Sequence, residues 1–170
     1  MSIKELQGLD ELFDYKNQLI GDLLSNPEIV RLLSDDCKLG ADPESFMYTQ
    51  VFPYEYVPDT VEHAQTIICC EVDIKEVVNK FLLRPAIYVW VFTHADLLRL
   101  PEGGVRVDKL SSEISKTLNG SRMYGMGELE LVSCKRFSPT QHYAGRTLTF
   151  YATDYNRIGT IGKTIPHSRK

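Results

Sequence analysis

The chain has 170 residues, of which 43% are hydrophobic, 10% aromatic and 25% charged. That is enough apolar material for a core without metal or disulfide staples, and it excludes wholesale disorder. Lys and Arg number 19 against 23 Asp and Glu, a net charge of -4, which excludes a protein that coats nucleic acid through clustered cations. No apolar run approaches the ~18 residues that cross a bilayer.

The start, MSIKELQGLDELFDY, lacks the basic region, apolar core and small-residue cleavage site of a secretory signal. A chain in the reducing cytosol is expected. Leu9, Leu12, Phe13, Leu19, Ile20, Leu23 and Leu24 recur at helical spacing. Asn26 then reads as an N-cap with Pro27 at the first position of a second, short helix, whose buried stripe is Ile29, Val30, Leu32 and Leu33. Residues 36–63 change character. Pro43, Pro53 and Pro58 stand among Phe46, Tyr48, Phe52, Tyr54 and Tyr56. Proline disfavours a central strand, so an extended segment is expected, laid on the domain or on a neighbour.

Strands follow at Thr66–Asp73 and Ala86–Thr93, both apolar on both faces and hence covered on both. The stretch 74–85 between them fits a short helix or a long hairpin loop. After a Pro-Glu-Gly-Gly turn at 101–104, the spacing of Val107, Leu110, Ile114 and Leu118 predicts a helix over about 106–119, closed by Asn119-Gly120. Glu128–Phe137 and Arg146–Tyr155 read as the strands of a closing antiparallel hairpin. In the last strand Leu148, Phe150 and Ala152 face inward, and Thr147, Thr149, Tyr151 and Thr153 face outward. The expected fold is α+β: a mostly antiparallel four-stranded sheet with one crossing helix, N-terminal helices and extended arms. One domain spans residues 1–156 and a basic tail spans 157–170.

Charge is unevenly placed. Residues 157–170 hold four bases and no acid, which leaves -8 for the rest. Such a tail suits an arm that orders on an acidic partner or a neighbouring subunit.

Signatures of catalysis are missing. The chain has no Walker loop, GxGxxG, GxSxG or HExxH. Its cysteines, Cys37, Cys69, Cys70 and Cys134, form no CxxC pair, and the adjacent two read as small hydrophobes alternating across a strand. His94 and Asp96 resemble half a metal site without a third ligand at a recognisable spacing. No catalytic, metal-binding or cofactor-binding residue is assigned. What the sequence offers instead is surface a monomer would struggle to hide, which suggests a symmetric oligomer or a subunit of a larger assembly.

The order PEIVRLL, VFPYEYVP, QTIICCEVDI, IYVWVFTHADL, GGVRVDKLSSEISKTLNG, GELELVSCKRFSP and GRTLTFYATDYNR, over about residues 15–157, resembles the small neck proteins of tailed bacteriophages and prophage elements. It is most similar to the tail terminators. The resemblance implies a virion protein, assembled in the host cytoplasm, that forms a ring, commonly of six subunits. Such a ring caps the tail tube, stops its polymerisation and receives the head connector. Its partners would be other copies of itself, the tail-tube protein and the connector, with duplex DNA passing through the lumen without specific binding, and no membrane. A long aromatic-proline stretch and a basic tail depart from a minimal terminator and keep a connector or stopper of the adjacent ring open. Candidate partner contacts are Tyr54, Tyr56, Trp90, Phe92 and Tyr151, with Arg157, Lys163 and Arg169 in the tail; for Tyr54, Tyr56, Tyr88, Trp90 and Phe92 plain core packing is the competing reading. Competing readings are a small cytosolic enzyme or ligand-binding domain near His94, Asp96 or the paired cysteines, and a generic interaction adaptor.

Overall fold

The computed structural model describes residues 9–58 and 63–158. Helix α1 runs Asp10–Ser25 and α2 runs Pro27–Leu33. Asn26 separates them as expected: its side chain accepts the amides of Glu28 and Ile29 at 2.9 and 3.4 Å, which satisfies donors the helix start would otherwise strand. After a 3-10 turn at Pro43–Phe46 comes a two-residue strand, β1 (Val51–Phe52). The long strands β2 (Thr66–Val77) and β3 (Leu82–His94) follow. Helix α3 (Arg106–Leu118) leads to β4 (Glu130–Phe137), β5 (Tyr143–Tyr151) and the short β6 (Asp154–Tyr155).

The fold is α+β, but the sheet differs from the expectation of four mostly antiparallel strands. It is mixed and six-stranded, with the order β1-β2-β3-β5-β4 and β6 beside β3. Two local causes account for the difference. Val51 and Phe52 pair in parallel with Ile68 and Cys69 before Pro53 ends the strand. The expected strand Arg146–Tyr155 begins earlier, at Tyr143, and breaks after Tyr151, where the chain crosses to pair Asp154 and Tyr155 with Leu83 and Leu82. The β3–α3–β4 connection returns the chain parallel to β3 with β5 between them. Such a return needs a crossover, and α3 supplies it by lying across the sheet.

The undecided stretch 74–85 is a hairpin. β2 and β3 run on as a two-stranded ribbon, with Val77 paired to Leu83 and the tip at residues 78–81. Pro85 interrupts little. It lacks a donor, and the register shift between Ile74 and Glu76 falls at its pairing position.

The main core lies between the helices and one sheet face. Leu19, Leu23, Ile29 and Leu33 from α1 and α2, with Leu110 and Ile114 from α3, pack on Ile68, Cys70, Val89, Leu148 and Phe150. A second, smaller core forms on the opposite face from Phe52, Ile67, Cys69, Phe92 and Tyr143. Strand alternation sends Cys69 into one core and Cys70 into the other, so the adjacent cysteines are packing groups on opposite faces. Burial pushes the Cys69 thiol up to about 11 and raises Cys70 further, so both favour the neutral thiol.

Candidate interaction surfaces

Three surfaces stand out among the described residues, two of them where the sequence reading placed contacts. The first is the sheet face away from the helices. Phe52 anchors it, and the aromatic-proline segment folds back on its own chain. The Tyr56 ring stacks on Phe52 at 4.2 Å with Tyr54 tilted alongside at 5.7 Å. The Tyr56 amide sits 3.4 Å from Cys69 Sγ. Tyr54 and Tyr56 thus cover part of the second core and keep an exposed outer edge.

Of the two readings for Phe92, core or partner contact, the structure takes the core: the ring is interior at 1% exposure. It packs edge-on to Phe137 and Tyr143 at 5.9 and 5.5 Å. Gly145 permits this. It pairs with Phe92 on one side and Phe137 on the other, and a Cβ there would stand 2.1 Å from the Val91 carbonyl and 2.7 Å from Phe92 Cβ.

Beyond that cover the same face stays half-buried. Tyr88 and Trp90 stack at 5.9 Å. Lys75 Nζ lies 3.6 Å above the Tyr151 ring, and Thr147 and Thr149 fill the lane between. Trp90 and Tyr151 therefore share one aromatic surface, as their outward register positions require, while Tyr54 and Tyr56 lie with Phe52 towards the opposite edge.

The second surface is the ribbon tip, where Val77, Val78 and Phe81 are exposed beside Tyr155. Sequence reasoning missed it. Its trace is a pair of valines and a phenylalanine inside a turn, VVNKF, where solvent-facing polar residues are usual.

The third is the meeting of the first turns of α1 with residues 154–157. Arg157 bonds Glu11 at the start of α1, and Tyr15 donates to the buried Asp154. Glu11 is buried and its carboxyl is raised, mainly by lost solvation and also by Asp154, against the pull of Arg157. Arg157 is thus engaged within its own chain. Lys163 and Arg169, like the rest of the tail, lie outside the described residues.

A further polar site, also missed, is structural. Arg106 is buried at the first position of α3, where a cation opposes the helix dipole. Its guanidinium donates to the carbonyls of Leu97, Leu32, Ser34 and Asp35 at 2.8–3.0 Å, so it caps the end of α2 and pins it to α3. That unfavourable position was the only sequence signal.

The His94 side chain accepts the Asp96 amide at 3.3 Å and caps the short turn after β3. Its ring stacks on His142. Among the described residues no group of three His, Cys, Asp or Glu side chains is placed to hold a metal. An open groove of about 290 Å³ lies between Ser111, Ser112 and Ser115 of α3 and Leu131, Cys134 and Leu148 of the sheet. The Arg146–Asp108 ion pair closes one side of it at 2.6 Å. No helix of the described residues is long and apolar enough to cross a membrane.

No curated protein matches the chain. A family model described as YomW matches residues 26–152, from the cap of α2 through the end of β5 and its first following residue. The match therefore leaves out α1 and the C-terminal residues that pack against it. Covering most of the chain, it shows that this protein belongs to the YomW family, which is of phage origin.

Proposed function

We propose that this protein is a structural subunit of a phage neck. It would assemble as a ring, of six copies in the simplest case, that caps the tail tube, stops its polymerisation and joins the tail to the head connector. The observation that carries the reading is the apolar ribbon tip. Val77, Val78 and Phe81 project on a two-stranded ribbon, where exposed apolar side chains gain nothing for a monomer and are the usual material of an interface. The phage origin of the family and the half-buried aromatic face agree with it.

The acidic charge balance suits such a ring physically. Acids facing a lumen repel phosphates and let duplex DNA slide through without sticking. Within this reading Trp90 and Tyr151 contribute to the ring contact, Tyr54 and Tyr56 line its margin, and Lys163 and Arg169 belong to an arm that reaches a neighbour. Assembly would take place in the host cytoplasm and end in the virion.

Electron microscopy of phage particles that lack the protein tests this. Overlong or headless tails are expected of a missing terminator. Filled heads that leak DNA would move the protein to a connector or stopper of the adjacent ring, and normal particles would end the neck reading.

A further inference from the structure

The hairpin ribbon and the segment that leads into β1 carry opposite charge together with exposed apolar side chains. At one end, ribbon residues 74–84 hold Lys75, Lys80 and Arg84 against a single acid, Glu76. This end displays Val77, Val78 and Phe81 at 54%, 44% and 64% exposure. At the other end, residues 35–55 hold Asp35, Asp36, Asp42, Glu44 and Glu55 against a single base, Lys38. They display Leu39 and Tyr48 at 73% and 62% exposure.

Local pairing does not remove this contrast. Asp36 bonds Lys38 and Glu76 bonds Arg84, at 2.7 and 3.1 Å. Asp42 and Glu44 are exposed and make no ion pair among the described residues. Lys80 rests 4.6 Å over the Phe81 ring, which leaves its ammonium at the surface.

The ends cannot meet within one chain. The acidic segment enters the sheet through β1, opposite Ile68 and Cys69, whereas the ribbon tip follows Val77. Those nine residues of extended strand separate the ends by about 30 Å.

Two different patches on one molecule that complement each other make a head-to-tail contact, which closes into a ring or runs on as a filament. We propose that the ribbon tip of one copy docks on residues 39–48 of the next, with Phe81 and Val78 against Leu39 and Tyr48, and Lys80 facing Asp42 and Glu44. The inference deepens the ring reading above and rests on it for the biological setting. It names the occupant of the tip as a second copy of this chain. The acidic, apolar-bearing segment at the far end is what selects a second copy, because it supplies both the charge and the apolar side chains that the tip lacks a partner for.

The test uses two double variants of the full chain. One breaks the tip, Lys80→Ser with Phe81→Ser. The other breaks the receiving segment, Asp42→Asn with Glu44→Lys. Asparagine keeps the hydrogen bond by which Asp42 caps the Glu44 amide at 3.1 Å. Circular dichroism checks that both are folded, and sedimentation velocity reads their association. The wild-type chain should associate with rising concentration. Each variant alone should associate at least ~10-fold more weakly, a loss of ~1.4 kcal/mol. An equimolar mixture should recover association but stop at pairs, because each pair uses the intact tip of one variant and the intact segment of the other.

A wild-type chain that stays monomeric at about millimolar concentration overturns the proposal. So do variants that associate like wild type, or a mixture in which folded variants remain single. The neck reading is tested separately on particles. Variants with unaltered association would end this contact and leave a terminator phenotype standing, whereas normal particles lacking the protein would end the neck reading and leave the pairing pattern standing.

Discussion

The two faces of the sheet use the same strand alternation and reach different ends. On one face Ile68, Val89, Leu148 and Phe150 meet three helices and are removed from solvent. On the other, among the described residues, Phe52, Ile67, Cys69 and Phe92 are covered by the chain segment around Tyr54 and Tyr56 and by Phe137 and Tyr143, and Tyr88, Trp90 and Tyr151 beyond it stay half-exposed. Strand composition alone does not separate these outcomes, because β3 is apolar on both sides. The cover decides. A helix buries a broad stripe, whereas a five-residue aromatic segment shields only the strands beneath it.

The largest effect should fall on the helix-covered face. Phe150→Ala should lower unfolding free energy by about 3–5 kcal/mol, measured in urea, because the removed ring leaves a cavity in a closed core. A loss below about 1 kcal/mol would mean that this face is no better packed than the other.

Gly145→Ala probes the seam of the second core. The added methyl has no room against the Val91 carbonyl and the Phe92 Cα and Cβ, so the β5 or β3 backbone must shift and carry the Phe92 ring with it. A loss of about 1–3 kcal/mol is expected, with a changed near-ultraviolet signal from the aromatic cluster.

The polar ties on the helix face predict an alkaline weakness. The Tyr124 hydroxyl donates to Asp22 at 2.6 Å, and Tyr15 donates to Asp154. Burial first, and the carboxylate partner next, hold both phenols above their ordinary value of 10.0. The folded chain therefore keeps these protons when the unfolded chain has released them. Their contribution is complete below about pH 10 and falls as pH rises above it. Tyr124→Phe and Tyr15→Phe should each cost about 0.5–1.5 kcal/mol at neutral pH and flatten the alkaline fall, read from urea midpoints between about pH 8 and 11. An unchanged slope would remove these bonds from the account.

The smallest stability effect should come from the uncovered face. Tyr151→Asp should change unfolding free energy by no more than about 1 kcal/mol, since it removes a half-exposed ring and gives Lys75 a new anion. Its assembly should nonetheless fail if that face is a contact. Normal assembly by the folded variant takes Tyr151 out of the interface.

Much of the scaffold was legible because it is local. Asn26-Pro27 announces the break between α1 and α2. Four apolar positions at helical spacing mark α3 to within a residue of its observed end, and Leu148, Phe150 and Ala152 give the inward face of β5 and its extension. Other parts depended on the assembled chain. Val51 and Phe52 become a strand only because Ile68 and Cys69 lie alongside. Residues 74–85 could have been a helix until the ladder of β2 against β3 claimed their backbone groups. Phe92 looked like its neighbours on β3, but the rings of Phe137 and Tyr143, distant in sequence, close over it.

By itself, then, the sequence determined the periodic elements, the α+β class and the two-faced character of the central strand, since these follow from spacing and side-chain type within a few residues. Only the tertiary structure decided which face is sealed, that Arg106 is a buried tie between helices, and that the apolar, basic ribbon tip and the acidic segment stand at opposite ends of one sheet. Each of those is a juxtaposition of residues far apart along the chain, and strand pairing and packing create it.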